Sequence, residues 1–159
     1  MLDRTMDWFA KAFIKSSLVW LGLGVLAGLG MAARPEWAAW RPVHAHLVVL
    51  GFLVMSVYGV AYHVIPRFTG HQLYSPRLAV WHFWLSNVGL AVMAVAFALV
   101  PLTGRTWSEL LTAGGMLTAA GAFAFILNLW RTMDGPPASR GGGTRETGPQ
   151  RLNVIQPKR

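Results

Sequence analysis

Cysteine is absent from the chain, which removes thiolate metal sites, disulfides and covalent c-type haem attachment from consideration. Any cofactor must be held by nitrogen, oxygen or the thioether of methionine. Charge is scarce too. Only 13% of the 159 residues are Asp, Glu, Lys or Arg, and they lie at or outside the edges of four long apolar stretches. No glycine-rich phosphate loop, nucleophile-elbow pattern or internal repeat of fixed period is present.

What is there is apolar: 54% of the residues are hydrophobic. The four stretches run from Phe13 to Ala33, Val43 to Ile65, Leu78 to Val100 and Leu110 to Trp130. Each has about the 20 residues that a helix needs to cross the hydrocarbon core. They are apolar all round rather than alternating, so a closed barrel is excluded and the fold class is all-α, a four-helix transmembrane bundle. The first stretch is too long for a signal-peptide core and is expected to stay as a helix. We place the transmembrane domain at 1–132, with residues 1–12 as an interfacial lead-in. Residues 133–159, with a Gly-Pro-Pro and a Gly-Gly-Gly run, form an expected disordered cytoplasmic tail.

The formal charge of +8 follows membrane topology and gives no reason to invoke nucleic acid. With the N-terminus inside, the inner segments hold Arg4, Lys11, Lys15, Arg67, Arg77, Arg131, Arg140, Arg145, Arg151, Lys158 and Arg159. Only Arg34, Arg41 and Arg105 then lie outside. The positive-inside rule places both termini in the cytoplasm of a bacterial inner membrane.

All five histidines lie between positions 44 and 82. This orientation puts His44 and His46 near the outer face and His63, His71 and His82 near the inner one. Imidazole is costly in hydrocarbon, so each is either interfacial decoration or a ligand. His44 and Tyr62 are 18 residues apart, five whole turns, and share a face over about 27 Å. Gly51, Met55 and Tyr58 lie close to the same line. A planar macrocycle could rest against the chain at Gly51 while His44 reached its iron. His46 points to nearly the opposite side. Water or lipid headgroups are the alternative partners for His44 and His46. Three inner histidines at one depth could hold zinc or copper, or two could sandwich a haem; interfacial anchoring beside Tyr62, Tyr74, Trp81 and Trp84 is the alternative.

The segment Arg41-Pro42-Val43-His44-Ala45-His46, with the helix closing in Gly59-Val60-Ala61-Tyr62-His63-Val64-Ile65-Pro66, resembles the second transmembrane helix of subunit I of haem-copper oxygen reductases. The likeness is nearest to the nitric oxide reductase and cbb3-type branch. It continues through Gly70, Pro76-Arg77-Leu78 and Phe83-Trp84. The resemblance implies a cytoplasmic N-terminus and makes His44 an axial ligand of a b-type haem; it is the helical face described above that puts Gly51, Met55 and Tyr58 beside it. It assigns no role to His46, His63, His71 or His82. Gln72 stands near where many oxidases carry an aspartate at a proton-channel entrance. The family's other haem and copper ligands come from later helices that these residues do not include, so gas reduction is not expected from this polypeptide alone.

The function expected is therefore electron transfer or an accessory role in respiration or nitrogen-oxide metabolism. The iron's second ligand would come from a homodimer partner's His44 or from another respiratory membrane subunit. Metal handling or sensing through His63, His71 and His82 is the alternative function. Gly24-x-x-x-Gly28 permits close helix approach within or between chains, and Asn87 and Asn128 are expected to form interhelical hydrogen bonds.

Overall fold

The computed structural model describes residues 6–135. Among them are four helices long and apolar enough to span a membrane: Trp8–Ala33, Pro35–Thr69, Pro76–Thr103 and Ser108–Asp134, here called the first to fourth spans. No strand occurs among the described residues. Each helix outruns its apolar stretch, the first at its N-terminal end and the others at both, because backbone hydrogen bonding continues into the interfacial residues. The first span starts at Trp8, inside the expected lead-in. The fourth runs through Met133 and Asp134, so these two expected tail residues are helical. The rest of the expected tail, 136–159, lies outside the described residues.

The ends follow local chemistry. Gly70 and Gly104 close the second and third spans with φ of 71° and 65°, the left-handed geometry that glycine adopts at least cost. Ser75 caps the third span, its Oγ accepting from the Leu78 amide at 3.2 Å, with Pro76 at the first helical position. Pro66 sits inside the second span, which nevertheless continues to Thr69.

The second span is not one regular helix. A 3-10 turn at Pro35–Trp40 leads into α-helix at Arg41–His46, then a π-helical stretch at Leu47–Val54, then α-helix again at Met55–Thr69. A π stretch winds more slowly than an α-helix, so the 3.6-residue count from His44 to Tyr62 does not carry through it. Such stretches are uncommon and concentrate at functional sites.

The interior is an apolar and aromatic core around Phe9, Phe13, Met55, Tyr62 and Leu90, with polar side chains set into it. Buried positions include Ser17, His82, Ser86, Asn128 and Thr132, while Leu18, Leu26, Leu53, Val95 and Phe123 face outward. Lipid tails are as apolar as leucine, so close packing and polar contacts hold the helices together. Glycine supplies the closeness. A Cβ at Gly89 would lie 2.7 Å from the Thr118 amide nitrogen, and one at Gly114 would lie 2.8 Å from the Gly89 carbonyl oxygen. The third and fourth spans therefore touch backbone to backbone.

Candidate functional site

The histidines fall into separate settings. His44, half-buried near the start of the second span, is seated on the first. Its Nδ1 lies 2.8 Å from the Gly24 carbonyl oxygen, and a Cβ at Gly28 would stand 3.0 Å from its Cε1. The Gly24-x-x-x-Gly28 spacing thus makes a flat seat for one imidazole within the chain. Since a carbonyl can only accept, the hydrogen bond places the proton on Nδ1. Nε2 keeps its lone pair and has no protein partner among the described residues. This is the tautomer that an iron or zinc ligand requires.

His46 turns the other way, as residues two apart on a helix must. Its Nδ1 meets the Pro42 carbonyl oxygen at 2.8 Å and its ring packs on Phe97 at 4.7 Å.

Gly51, Met55 and Tyr58 face the interior of the bundle. A Cβ at Gly51 would be 2.6 Å from Trp20 Cβ and 3.0 Å from Leu90 Cδ2, so protein already fills the flat place there. The Trp20 indole N–H donates to Asn87 Oδ1 at 3.0 Å, which fixes that filling. Met55 Sδ lies 3.8 Å from Ser16 Oγ. The Tyr58 ring packs on Phe13, His82 and Phe125. A macrocycle bound at His44 would thus need a different face from the one that helical periodicity indicates.

The three remaining histidines do not converge. Among the described residues no group of three or more His, Cys, Asp or Glu is placed to hold a metal. The copper or zinc site expected from His63, His71 and His82 is not assembled. His63 Nδ1 accepts from the Arg67 guanidinium at 2.7 Å. His71 Nδ1 lies 3.2 Å from the Thr132 carbonyl oxygen, in the connection between the second and third spans. His82 is sunk completely into the bundle, because its turn of the third span faces the first and fourth spans rather than the loop.

Sequence reasoning places His82 at the inner interface as a metal ligand or anchor, and its burial in the interior of the bundle is not foreseen there. Its Nδ1 is 2.9 Å from Tyr62 Oη, and the rings of Phe13, Tyr58, Tyr62 and Phe125 surround it. Its Nε2 and Ser86 Oγ are buried without a hydrogen-bond partner. Both face the fourth span, where a Cβ at Gly121 would lie 2.7 Å from Ser86 Oγ and 3.4 Å from His82 Cδ2. The sequence signal for this interior stripe is the i, i+4 spacing of His82 and Ser86 in an otherwise apolar helix.

Four spanning helices, with polar groups gathered inside and glycine at the contacts, define a multi-pass helical membrane protein. Residues 37–135 match the family described as cytochrome c and quinol oxidase polypeptide I, and the chain belongs to that family. It is similar to cytochrome c oxidase subunit 1 of Rhodobacter capsulatus, 30% identical over 127 residues that cover 64% of this chain and 24% of the relative. It is also similar to a Cbb3-type cytochrome c oxidase subunit of Stutzerimonas stutzeri, 26% identical over 151 residues, 76% of this chain and 32% of that one. Quinol oxidase subunit 1 of Sulfolobus acidocaldarius is 29% identical over 100 residues, 61% of this chain and 19% of the relative. The chain therefore spans about a third or less of the length of these relatives. No solved structure matches.

Proposed function

We propose that the chain binds a b-type haem through His44 Nε2 and acts as an electron-transfer or accessory element of a respiratory or nitrogen-oxide-metabolising membrane assembly. The observation that carries this reading is the seating of His44: Nδ1 held by the Gly24 carbonyl, ring packed against Gly28, Nε2 without a partner among the described residues. Membership of the oxidase polypeptide I family supports it. The motif Arg41-Pro42-Val43-His44 points to the nitric oxide reductase and cbb3-type branch. With no cysteine the haem would be held non-covalently.

When bound, such a haem supplies one-electron exchange at iron, at a potential set by its axial ligands and apolar surroundings. The chain's residues contribute orientation. Gly24 fixes the imidazole's tautomer and Gly28 leaves room for its ring. A further protein ligand would have to come from a partner, either a second copy or another respiratory subunit. The metal-handling alternative has no assembled ligand set among the described residues to support it.

The test is the absorption spectrum of the detergent-purified protein. We expect a Soret band that His44→Ala abolishes and His46→Ala retains, since His46 packs on Phe97 instead. A full haem complement in the His44→Ala protein would overturn the assignment.

A further inference from the structure

The end of the bundle opposite His44 carries a cavity of about 530 Å³, lined in part by Gly70, His71, Gln72, Tyr74 and Arg131. It is formed where the connection between the second and third spans folds against the last turn of the fourth. Hydrogen bonds from three loop residues hold that connection in place. His71 Nδ1 meets the Thr132 carbonyl oxygen at 3.2 Å, and the Tyr74 amide donates to Thr132 Oγ1 at 3.0 Å. The Ser75 amide and carbonyl are both paired with the Asn128 side chain at 2.9 Å. The cavity wall is thus built before any ligand arrives.

Its chemistry is cationic on one side and aromatic on the other. The Arg131 guanidinium lies 5.9 Å from the centre of the Tyr74 ring and has no ion-pair partner among the described residues. Asp134, three residues on, forms no ion pair with it. The exposed Gln72 amide adds a donor, whereas His71 Nδ1 must carry the ring's proton to meet the Thr132 carbonyl, which leaves Nε2 of the neutral ring as an acceptor and makes His71 part of the wall rather than a phosphate contact. The rim of this end of the bundle, beside the lining residues in sequence, carries Phe68, Trp130 and Met133, which are 86%, 63% and 49% exposed. Large apolar side chains in that number, at the end of membrane-spanning helices, mark the level where headgroup meets acyl chain.

We propose that this cavity binds the phosphate of an anionic lipid headgroup, with Arg131 as the principal contact and the exposed aromatic rim against the acyl chains. Basic pockets between helix ends at the cytoplasmic side are suited to such headgroups, and a guanidinium meets phosphate oxygens in pairs. Free phosphate would use the same donors, but it would gain nothing from the rim.

Native mass spectrometry of the full chain in detergent, titrated with phosphatidylglycerol, phosphatidylcholine or inorganic phosphate, tests this. The wild-type protein should retain phosphatidylglycerol in preference to phosphatidylcholine, and Arg131→Gln should weaken the phosphatidylglycerol complex about tenfold, the effect of losing a charge-assisted contact. Arg131→Lys should fall between the two, while Arg77→Gln, a change outside the cavity, should leave binding unchanged. Equal phosphatidylglycerol binding by the wild-type and Arg131→Gln proteins would overturn the proposal, as would an equal loss for phosphatidylcholine. Displacement of the lipid by millimolar inorganic phosphate would show an anion site with no preference for lipid and would overturn it as well. The circular dichroism of each variant separates lost binding from lost folding, and the Arg131→Lys protein, which keeps the charge, carries the test if the glutamine variant misfolds.

Discussion

His44 owes its setting to two glycines one turn apart on the neighbouring helix. A side chain at Gly28 would press on the imidazole, because even a Cβ would come within 3.0 Å of it. Overpacking of this kind costs about 1 to 3 kcal/mol. Gly28→Leu should therefore lower haem content in the purified protein, whereas Gly22→Leu, where a Cβ meets nothing within 4 Å, should leave the Soret band intact. Similar loss in both variants would indicate a general packing failure rather than a displaced ligand. His82 is governed by a different balance. Among the described residues Tyr62 Oη is its one hydrogen-bond partner, and its Nε2 and the nearby Ser86 Oγ are unsatisfied. Tyr62→Phe should destabilise the fold by about 1 to 2 kcal/mol, since it leaves a second imidazole nitrogen unpaired inside the bundle. Ser86→Ala should be neutral or slightly stabilising, because a hydroxyl with no partner gives up nothing when it is removed. A clear drop in thermal stability for Ser86→Ala would mean that the hydroxyl is satisfied by a buried water.

Among the elements, the connection before the third span is held by Thr132 and Asn128. Asn128 accepts from the Ser75 amide and donates to its carbonyl, each at 2.9 Å, from the inner face of the fourth span near its C-terminal end. Asn128→Leu keeps the volume and removes both bonds. The expected loss is about 1 kcal/mol, given the modest worth of polar contacts between membrane helices. It should appear first as faster amide exchange across residues 70–75, while the third and fourth spans, joined through Gly89 and Gly114, keep their protection. Uniform loss of protection would show that the loop and the helix pair open together. The irregular second span belongs to this scale as well. A regular α-helix from Arg41 to Thr69 would have given a single face for His44, Gly51, Met55, Tyr58 and Tyr62. The π stretch at Leu47–Val54 interrupts the regular winding, yet His44, Gly51, Met55 and Tyr62 all still meet the first span, at Gly24, Trp20, Ser16 and Phe13, while Tyr58 and Tyr62 also line the surroundings of His82.

For the whole molecule, the arginines and lysines define a direction across the membrane. The end that carries Arg67, Arg77 and Arg131 also carries Lys11 and Lys15, so it should face the cytoplasm, with His44 near the opposite surface. Reporter fusions at Gly142 and Gly104 should give opposite signals, cytoplasmic for the first and external for the second. A periplasmic signal at Gly142 would invert the topology and, with it, the positional match of His44 to the oxidase polypeptide. It would also place the Arg131 cavity on the wrong side for the anionic surface of the cytoplasmic leaflet.

Four spans and an all-α fold are legible in the sequence because membrane insertion is decided by the length and apolarity of contiguous segments, and both are local properties. The family is legible for a related reason: the stretch from Arg41 to Trp84 keeps motif residues at fixed spacing. Asn87 and Asn128 are also recognisable as hydrogen-bonding groups, since an amide inside an apolar helix must find a partner. The fate of each histidine was not so accessible. Depth along a helix can be counted from sequence, but the direction a side chain takes depends on helix regularity and on which neighbour stands opposite. The π stretch makes the winding of the second span irregular, and the glycines at positions 24, 28 and 121 decided the neighbour. That is why His63, His71 and His82 share a depth without sharing a site, and why Gly51, flat in sequence, is covered by Trp20. Segment hydrophobicity determined that the chain crosses a membrane four times. Only tertiary packing, where one glycine or one slipped register moves an imidazole from one helix to another, decided which histidine is left with a free nitrogen.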